Sequence, residues 1–154
     1  MTKASQHGFT LLEMVCVIAL IALVASVLLP FLPHQTSRAR LQAYALETAA
    51  LLKADRSAAI GRRSDVSTVV DAHGRAIRSG AGKASLRIPD DVRFDALLPQ
   101  TCRSRATLST ISFFADGMSC GGAIALSRFD ATYEIRVNWL TGRIEIVSRA
   151  PLAN

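Results

Sequence analysis

A single carboxylate, Glu13, lies at the edge of an apolar run and is the side chain of this sequence best placed to do chemistry. It comes five positions after Gly8 in the string Gly8-Phe9-Thr10-Leu11-Leu12-Glu13, and residues 14–32 are interrupted only by Ser26 and Pro30. A carboxylate beside hydrocarbon is costly unless a cation meets it. The sequence therefore predicts that Glu13 forms an ion pair with an amine.

A second pattern, Gly117-Met118-Ser119-Cys120-Gly121, fits the G-x-S-x-G turn that carries the nucleophilic serine of α/β-hydrolases. That turn needs a strand before it and a helix after it, whereas residues 123–126 have the pattern of a strand. No histidine follows the serine in the chain to act as its base. We interpret the pattern as a glycine-rich hairpin turn and do not expect an enzyme.

The cysteines and acidic pairs suggest structural roles. Cys16 lies inside the apolar run and is predicted to fill space there, whereas Cys102 and Cys120 are predicted to form a disulfide if their part of the chain is exported. The histidines lack metal-ligand spacing and no C-x-x-C pair occurs, so we expect neither a metal nor another cofactor. Asp90 and Asp91 would suit a cation site, but a solvated turn is the simpler interpretation.

Composition describes one modest domain beyond an apolar segment. The chain has 154 residues, 50% of them hydrophobic, and a formal charge of +6. Its arginines are spread along the sequence instead of clustered, which is typical of a solvated basic face and not of a nucleic-acid site. We therefore do not expect nucleic acid as a partner.

Residues 9–32 are predicted to form a transmembrane helix, because about 20 apolar residues at 1.5 Å each span roughly 30 Å of hydrocarbon. Pro30 removes one backbone donor and is predicted to kink this helix. An ordinary secretory signal, with Lys3 as its basic region and cleavage near Val24-Ala25-Ser26, is the alternative. Glu13 argues against it, since the core of such a signal has no use for a carboxylate.

The rest of the chain predicts an α+β fold. Residues 33–61 show apolar positions every three or four residues and predict an amphipathic helix that ends at Gly61 and forms one rod of roughly 75 Å with the apolar segment if unbroken. Leu41, Ala45 and Leu52 should face a small antiparallel sheet. Strands are predicted at 66–70, 84–88, 111–114 and 123–126, with a hairpin of residues 133–139 and 144–146 around Thr141-Gly142. The stretch 75–83 is predicted to be a mobile loop.

The string from Gly8 to Glu13 resembles, residue for residue, the class III leader of type IV pilins and type II secretion pseudopilins. The resemblance implies cleavage between Gly8 and Phe9, methylation of the new N-terminal Phe9, and assembly through pairing of Glu13 with the methylated amine of a neighbouring subunit. An ion pair between Glu13 and the Phe9 amine of the same chain stays open as an alternative. Pro30 becomes mature position 22, where many members of the family carry a proline.

Further motifs resemble the H-type minor pseudopilin branch, the GspH/FimT family: Ala58-Ala59-Ile60, residues 111–117, Gly121-Gly122 and residues 137–143. The resemblance implies a leader at 1–8, a transmembrane and assembly helix at 9–32, an amphipathic half-helix at 33–61 and a periplasmic β-rich head at 62–154. It also implies a single-pass subunit of the bacterial inner membrane that joins a type II secretion pseudopilus near its tip and supports the export of folded proteins.

The implied partners are the other minor pseudopilins, the major pseudopilin, prepilin peptidase and the inner-membrane assembly platform. A minor pilin of a type IV pilus, with a role in DNA uptake, is the alternative function. DNA binding in the FimT branch is associated with an arginine-rich C-terminal segment, and here Glu145 interrupts the corresponding stretch.

Overall fold

The computed structural model describes residues 10–28, 36–107 and 109–149. The chain divides into two units, Met1–Gln35 and Thr36–Asn154. The described part of the first unit forms helix α1 (Leu11–Leu28) and that of the second contains helix α2 (Arg38–Arg62). The strands follow in the order β1 (Val66–Asp71), β2 (Ala76–Arg78), β3 (Ser85–Arg87), β4 (Arg93–Leu97), β5 (Thr101–Cys102), β6 (Arg105–Ala106), β7 (Thr110–Phe113), β8 (Gly122–Arg128), β9 (Ala131–Val137) and β10 (Ile144–Arg149).

Helix α1 is 18 residues long, or about 27 Å at 1.5 Å per residue. From Leu11 to Val24 its large apolar side chains are exposed at nearly every position, so they cover all sides of the helix. Gly8, Phe9 and Pro30 lie outside the described residues, and with them the predicted cleavage site and kink. Among the residues that are described, no helix meets the length and apolarity required to cross a membrane.

Helix α2 begins and ends on side-chain and backbone caps. Ser37 is extended, with φ −73° and ψ 164°, and its hydroxyl accepts a hydrogen bond from the Arg40 amide at 3.2 Å. The condition for one continuous rod is not met, because Thr36 and Ser37 are not helical and α2 begins at Arg38 with its own cap. The predicted end at Gly61 is wrong, since the left-handed residue that terminates the helix is Arg63, with φ 50°.

One face of α2 forms the centre of the head's core. It packs against β1 and β7 on one side and against β8, β9 and β10 on another. The prediction that Leu41, Ala45 and Leu52 face the strands is confirmed, and each is fully buried. The buried face continues to the end of the helix through Thr48, Ala49, Asp55 and Ala59.

The strands form two four-stranded antiparallel sheets where one small sheet was expected. The first sheet has the order β3-β2-β1-β7 and the second the order β10-β9-β8-β4, while β5 and β6 make a separate two-stranded hairpin. The predicted final hairpin is confirmed, with Val137 opposite Ile144 and Ile135 opposite Ile146. Strand β4, which the sequence did not indicate, pairs with β8 and completes the second sheet.

The prediction of a mobile loop at 75–83 is wrong at residues 76–78, which form a strand. This strand is β2, which lies between β1 and β3. The second half of the stretch approaches β1 so closely that a Cβ on Gly80 would lie 2.3 Å from the Ser67 carbonyl oxygen. Gly80 therefore permits close packing of backbone on backbone.

Candidate functional site

The N-terminal end of α1 places Glu13 in the first helical turn. Its amide donates to the Thr10 carbonyl oxygen at 3.1 Å and to Thr10 Oγ1 at 3.3 Å, so Thr10 caps the helix. A carboxylate in this turn is favoured by the positive end of the helix dipole. The Glu13 residue is exposed, which leaves its carboxylate accessible to a cation from another molecule. The sequence signal for this cap is Thr-x-x-Glu, the pattern of a capping box.

Asp55 is a second acid on a helix, and it is fully buried in the head. Its carboxylate accepts hydrogen bonds from Thr68 Oγ1 at 2.5 Å, Ser79 Oγ at 2.5 Å, the Gly80 amide at 3.0 Å and the Ala81 amide at 3.3 Å. Four donors satisfy a buried carboxylate without a cation. Asp55 therefore ties the segment after β2 to α2, and its place in the buried series of Leu52 and Ala59 was the signal available in the sequence.

Asp91 ties the start of α2 to the strands. Its carboxylate accepts from the Thr36 amide at 2.8 Å, the Thr36 hydroxyl at 2.9 Å and Arg128 Nη1 at 2.5 Å. The Thr36 amide, followed by the Thr36 hydroxyl and the Arg128 charge, holds the pKa of Asp91 below its usual value. Both acids lie in an exposed turn, as interpreted from the sequence, and Asp91 in addition anchors Thr36, whereas Asp90 lies 3.3 Å from Arg75.

The outward face of β9 and β10 carries paired charges. Glu134 accepts from Arg136 at 2.9 and 3.0 Å and lies 2.9 Å from Arg149 Nη2, and Arg143 pairs with Glu145 at 2.9 Å. The hydrogen bonds from Arg136, with the charges of both arginines, lower the pKa of Glu134, and Glu134 in turn raises the pKa of Arg136. The arginines of this C-terminal hairpin are thus engaged with carboxylates of the same sheet.

The G-x-S-x-G pattern forms a turn between strands. Ser119 is 4% exposed and its hydroxyl accepts the Gly121 amide at 3.0 Å, while the chain continues into β8 and not into a helix. The histidine that the structure describes, His73, lies in the β1–β2 turn. Within the described part of the chain, no group of three or more potential ligands could hold a metal ion.

The three cysteines fall into two environments. Cys102 and Cys120 form a disulfide that joins β5 to the segment before β8, with their Cα atoms 5.7 Å apart and a separation of 18 positions in the sequence. Cys16 is a free, exposed cysteine on α1. The disulfide restrains the part of the head that holds the β5–β6 hairpin.

Comparison with known proteins first defines the class. Residues 3–29 match the family described as the prokaryotic N-terminal methylation motif. The fold is that of pilins: the type IV minor pilin FimU of Pseudomonas aeruginosa superimposes with a TM-score of 0.57 at 19% identity, over 77% of this chain and 97% of FimU. The minor pseudopilin EpsH from the type 2 secretion system of Vibrio cholerae superimposes with a TM-score of 0.55 at 11% identity, over 70% of this chain and 95% of EpsH.

A sequence relative then gives the particular family. The chain is 34% identical over 139 residues to type II secretion system protein H of Xanthomonas campestris pv. campestris, which covers 90% of this chain and 81% of that protein. The chain belongs to the type II secretion system protein H family, the H-type minor pseudopilins.

Proposed function

We propose that this minor pseudopilin is stored in the bacterial inner membrane through residues 9–32, with its head in the periplasm, and is drawn from there into a type II secretion pseudopilus near the tip. Prepilin peptidase removes residues 1–8 and the new N-terminal Phe9 is methylated. The subunit then assembles with other minor pseudopilins and the major pseudopilin on the inner-membrane platform. Its role in exporting folded proteins is mechanical and not enzymatic.

The observation that carries the proposal is helix α1, apolar on all sides with one exposed carboxylate in its first turn. A helix with no polar face is typical of a segment surrounded by lipid or by other helices. The residues Gly8, Phe9 and Glu13 and the match to the methylation motif add the processing step.

Glu13 gives assembly its direction. Inside a bilayer, a carboxylate and an ammonium group are each expensive alone and compensate strongly when paired. The methylated amine of Phe9 on a neighbouring subunit is the cation that we propose for Glu13. Pairing with the amine of the same chain remains the alternative before assembly, and the two arrangements can exchange as a subunit is added.

A role as minor pilin of a type IV pilus is the second candidate, because FimU shares this fold. The likeness is one of fold alone and does not separate secretion from a pilus. The ion pairs Arg143–Glu145 and Arg149–Glu134 leave the C-terminal arginines engaged within the head, which favours a role without DNA. Retention of duplex DNA at physiological salt, lost steeply as salt is added, would favour the pilus role instead.

Mass spectrometry of the protein extracted from membranes tests the processing step. With prepilin peptidase present, we expect a chain that begins at Phe9 and carries one extra methyl group; without the peptidase, we expect the unprocessed chain. A mature chain that begins near Val27 would instead show trimming by general signal peptidase and contradict the proposal. Co-purification with sibling pseudopilins from the same membranes tests assembly.

A further inference from the structure

The β8–β9 turn carries an aromatic side chain that the core does not use. Phe129 is 81% exposed and lies at the first of two central residues of this hairpin, in which Arg128 pairs with Ala131. Its φ is +51°, and a two-residue hairpin with positive φ at that position normally takes glycine there. A bulky residue is strained in this conformation. Neither core packing nor the backbone conformation therefore accounts for a phenylalanine at this position.

The surroundings of the turn are held firmly in place. Arg128 donates to the Thr36 carbonyl oxygen at 2.5 Å and its guanidinium lies 4.5 Å from the centre of the Phe129 ring. Arg38 forms an ion pair with Asp130, and its hydrogen bond lowers the pKa of that acid. The turn is therefore fixed to the first residues of the head, and Phe129 is displayed from a rigid support.

The position of this support along the chain suggests what Phe129 meets. Thr36, to which the turn is bonded, comes four residues after Leu32, where the proposed membrane segment ends. Four residues reach at most about 14 Å even when fully extended. The turn is thus tethered close to the bilayer surface whenever residues 9–32 are in the membrane.

Exposed arginines accompany the aromatic ring. Arg38 lies in the first turn of α2 and pairs with Asp130 of the β8–β9 turn, and Arg93 lies opposite Ser127 at the same end of the second sheet. An apolar ring flanked by long cationic side chains is typical of surfaces that lie in the headgroup zone of a bilayer. Arg38 and Arg93 are paired with aspartates, so insertion of the ring and not net charge would dominate binding.

We propose that the β8–β9 turn is a membrane-contacting edge of the head, in which Phe129 enters the interfacial zone of the phospholipid bilayer and the neighbouring arginines lie among the headgroups. This inference rests on the proposed storage of the subunit in the inner membrane. The contact would hold the head against the bilayer before assembly and would be released when the subunit enters the filament.

Tryptophan fluorescence of the full chain tests this contact, because the sequence has a single tryptophan, Trp139. Trp139 is 63% exposed and lies beyond the other end of β9, whose seven residues span about 23 Å. The wild type is therefore the matched control for a Phe129→Trp, Trp139→Phe variant. A Leu20→Trp, Trp139→Phe variant reports on insertion of α1.

Each protein is reconstituted alone into phosphatidylethanolamine and phosphatidylglycerol vesicles in which part of the lipid carries brominated acyl chains. We expect the reporters at positions 20 and 129 to lose at least half of their emission, with a blue shift at position 129, and Trp139 to be unaffected. Quenching at position 20 without quenching at 129 would overturn the membrane contact while leaving anchoring intact; this is also the result expected if Phe129 serves a protein partner.

Absence of quenching at position 20 would instead overturn the anchoring on which the inference rests. If the variant at position 129 fails to form the Cys102–Cys120 disulfide or loses its β-sheet circular dichroism, Asp130→Trp with Trp139→Phe places the reporter at the second central residue of the same turn. Quenching at position 130 then supports the proposal, and emission unchanged by brominated lipid overturns it.

Discussion

The two helices of this protein have the same backbone conformation and opposite relations to their surroundings. Helix α2 buries one stripe of small and aliphatic side chains under both sheets of the head, whereas α1 exposes large apolar side chains on every side. The apolar surface of α2 is used within the chain. Among the described residues of its own unit, the apolar surface of α1 has no counterpart, and a surface of this kind is typical of a segment surrounded by lipid or by other helices.

Their acids show the same contrast. Asp55 on α2 is buried and receives four hydrogen bonds from its own chain, while Glu13 on α1 is exposed and offers its carboxylate outward. A buried acid with internal donors serves stability. An exposed acid at the start of an apolar helix is open to a cation, which we propose to be the methylated amine of a neighbouring subunit.

Removing the Glu13 carboxylate from α1 should have the largest effect, and we expect this effect on assembly and not on the stability of the head. We expect Glu13→Ala to lower incorporation into pseudopili at least tenfold, a loss of about 1.4 kcal/mol or more in pairing energy. Thermal unfolding of the head should be unchanged. Glu47→Ala, which removes an exposed acid from α2, is the control; equal incorporation of the two variants would contradict the role of Glu13.

The same truncation on each helix compares their packing directly. Leu52→Ala should destabilise the head by about 3 kcal/mol, because it opens a cavity at a fully buried position. Leu20→Ala should change head unfolding by less than about 0.5 kcal/mol, since Leu20 is exposed on α1. Urea unfolding of the full chain in mild detergent, followed by Trp139 fluorescence, measures both. Equal losses of stability in the two variants would contradict the difference in packing between the helices.

Removing the Asp55 carboxylate from α2 should destabilise the head nearly as much as Leu52→Ala does. We expect Asp55→Ala to destabilise it by about 2 to 3 kcal/mol, because four donors around the carboxylate lose their acceptor. Hydrogen exchange at the Gly80 and Ala81 amides should accelerate most. Asp65→Ala, at an exposed position just after the helix, should be nearly neutral. A stable variant with slow exchange at those amides would show that Asp55 is dispensable.

The cysteines extend the comparison to covalent structure. Replacing Cys102 and Cys120 together with serine should destabilise the head by up to about 3 kcal/mol, as expected for a closed loop of this length, whereas Cys16→Ser should leave head unfolding unchanged. Thiol labelling in denaturant should detect one reactive cysteine before reduction and three afterwards. Three reactive thiols without reduction would show that the pair is not bonded in the cell.

The smallest expected effect concerns the hydrogen bonds between Asp91 and the start of α2. The folded pKa of Asp91 lies below its ordinary value of 3.8, so its contribution is complete above that pH and is lost as pH falls through the lower folded value. Asp91 is partly exposed, and we expect the contribution to be under about 1 kcal/mol after screening. Unfolding curves of wild type and Asp91→Asn should converge as pH falls below 3.8; a constant gap would contradict this linkage.

Patterns of neighbouring residues in the sequence predicted much of the fold. The three-to-four-residue spacing of Leu41, Ala45 and Leu52 identified the buried face of α2, and strict alternation around Thr141-Gly142 identified the β9–β10 hairpin. The Cys102 and Cys120 side chains, considered candidates from their compartment alone, are joined in the structure. These features depend on neighbours in sequence or on chemistry that a residue type carries with it.

Other features were missed because their partners are remote in sequence. The stretch 75–83 has the composition of a loop, and it is ordered by the pairing of β2 with β1 and β3 and by hydrogen bonds to Asp55. Asp91 has the local context of a turn, and only Thr36, 55 residues earlier, makes it an anchor. Hydrogen bonds over such separations leave no periodic trace in the residues that form them.

By itself, the sequence determined where this chain is apolar, where it carries the lone acid Glu13 and which leader motif precedes that acid, because these properties belong to consecutive residues. Only the tertiary structure decided that Asp55 is satisfied inside the head, that two sheets share one helix, and that Phe129 projects from a turn bonded to Thr36. The physical reason is that burial and hydrogen bonding are settled between distant segments, once the backbone has brought them together.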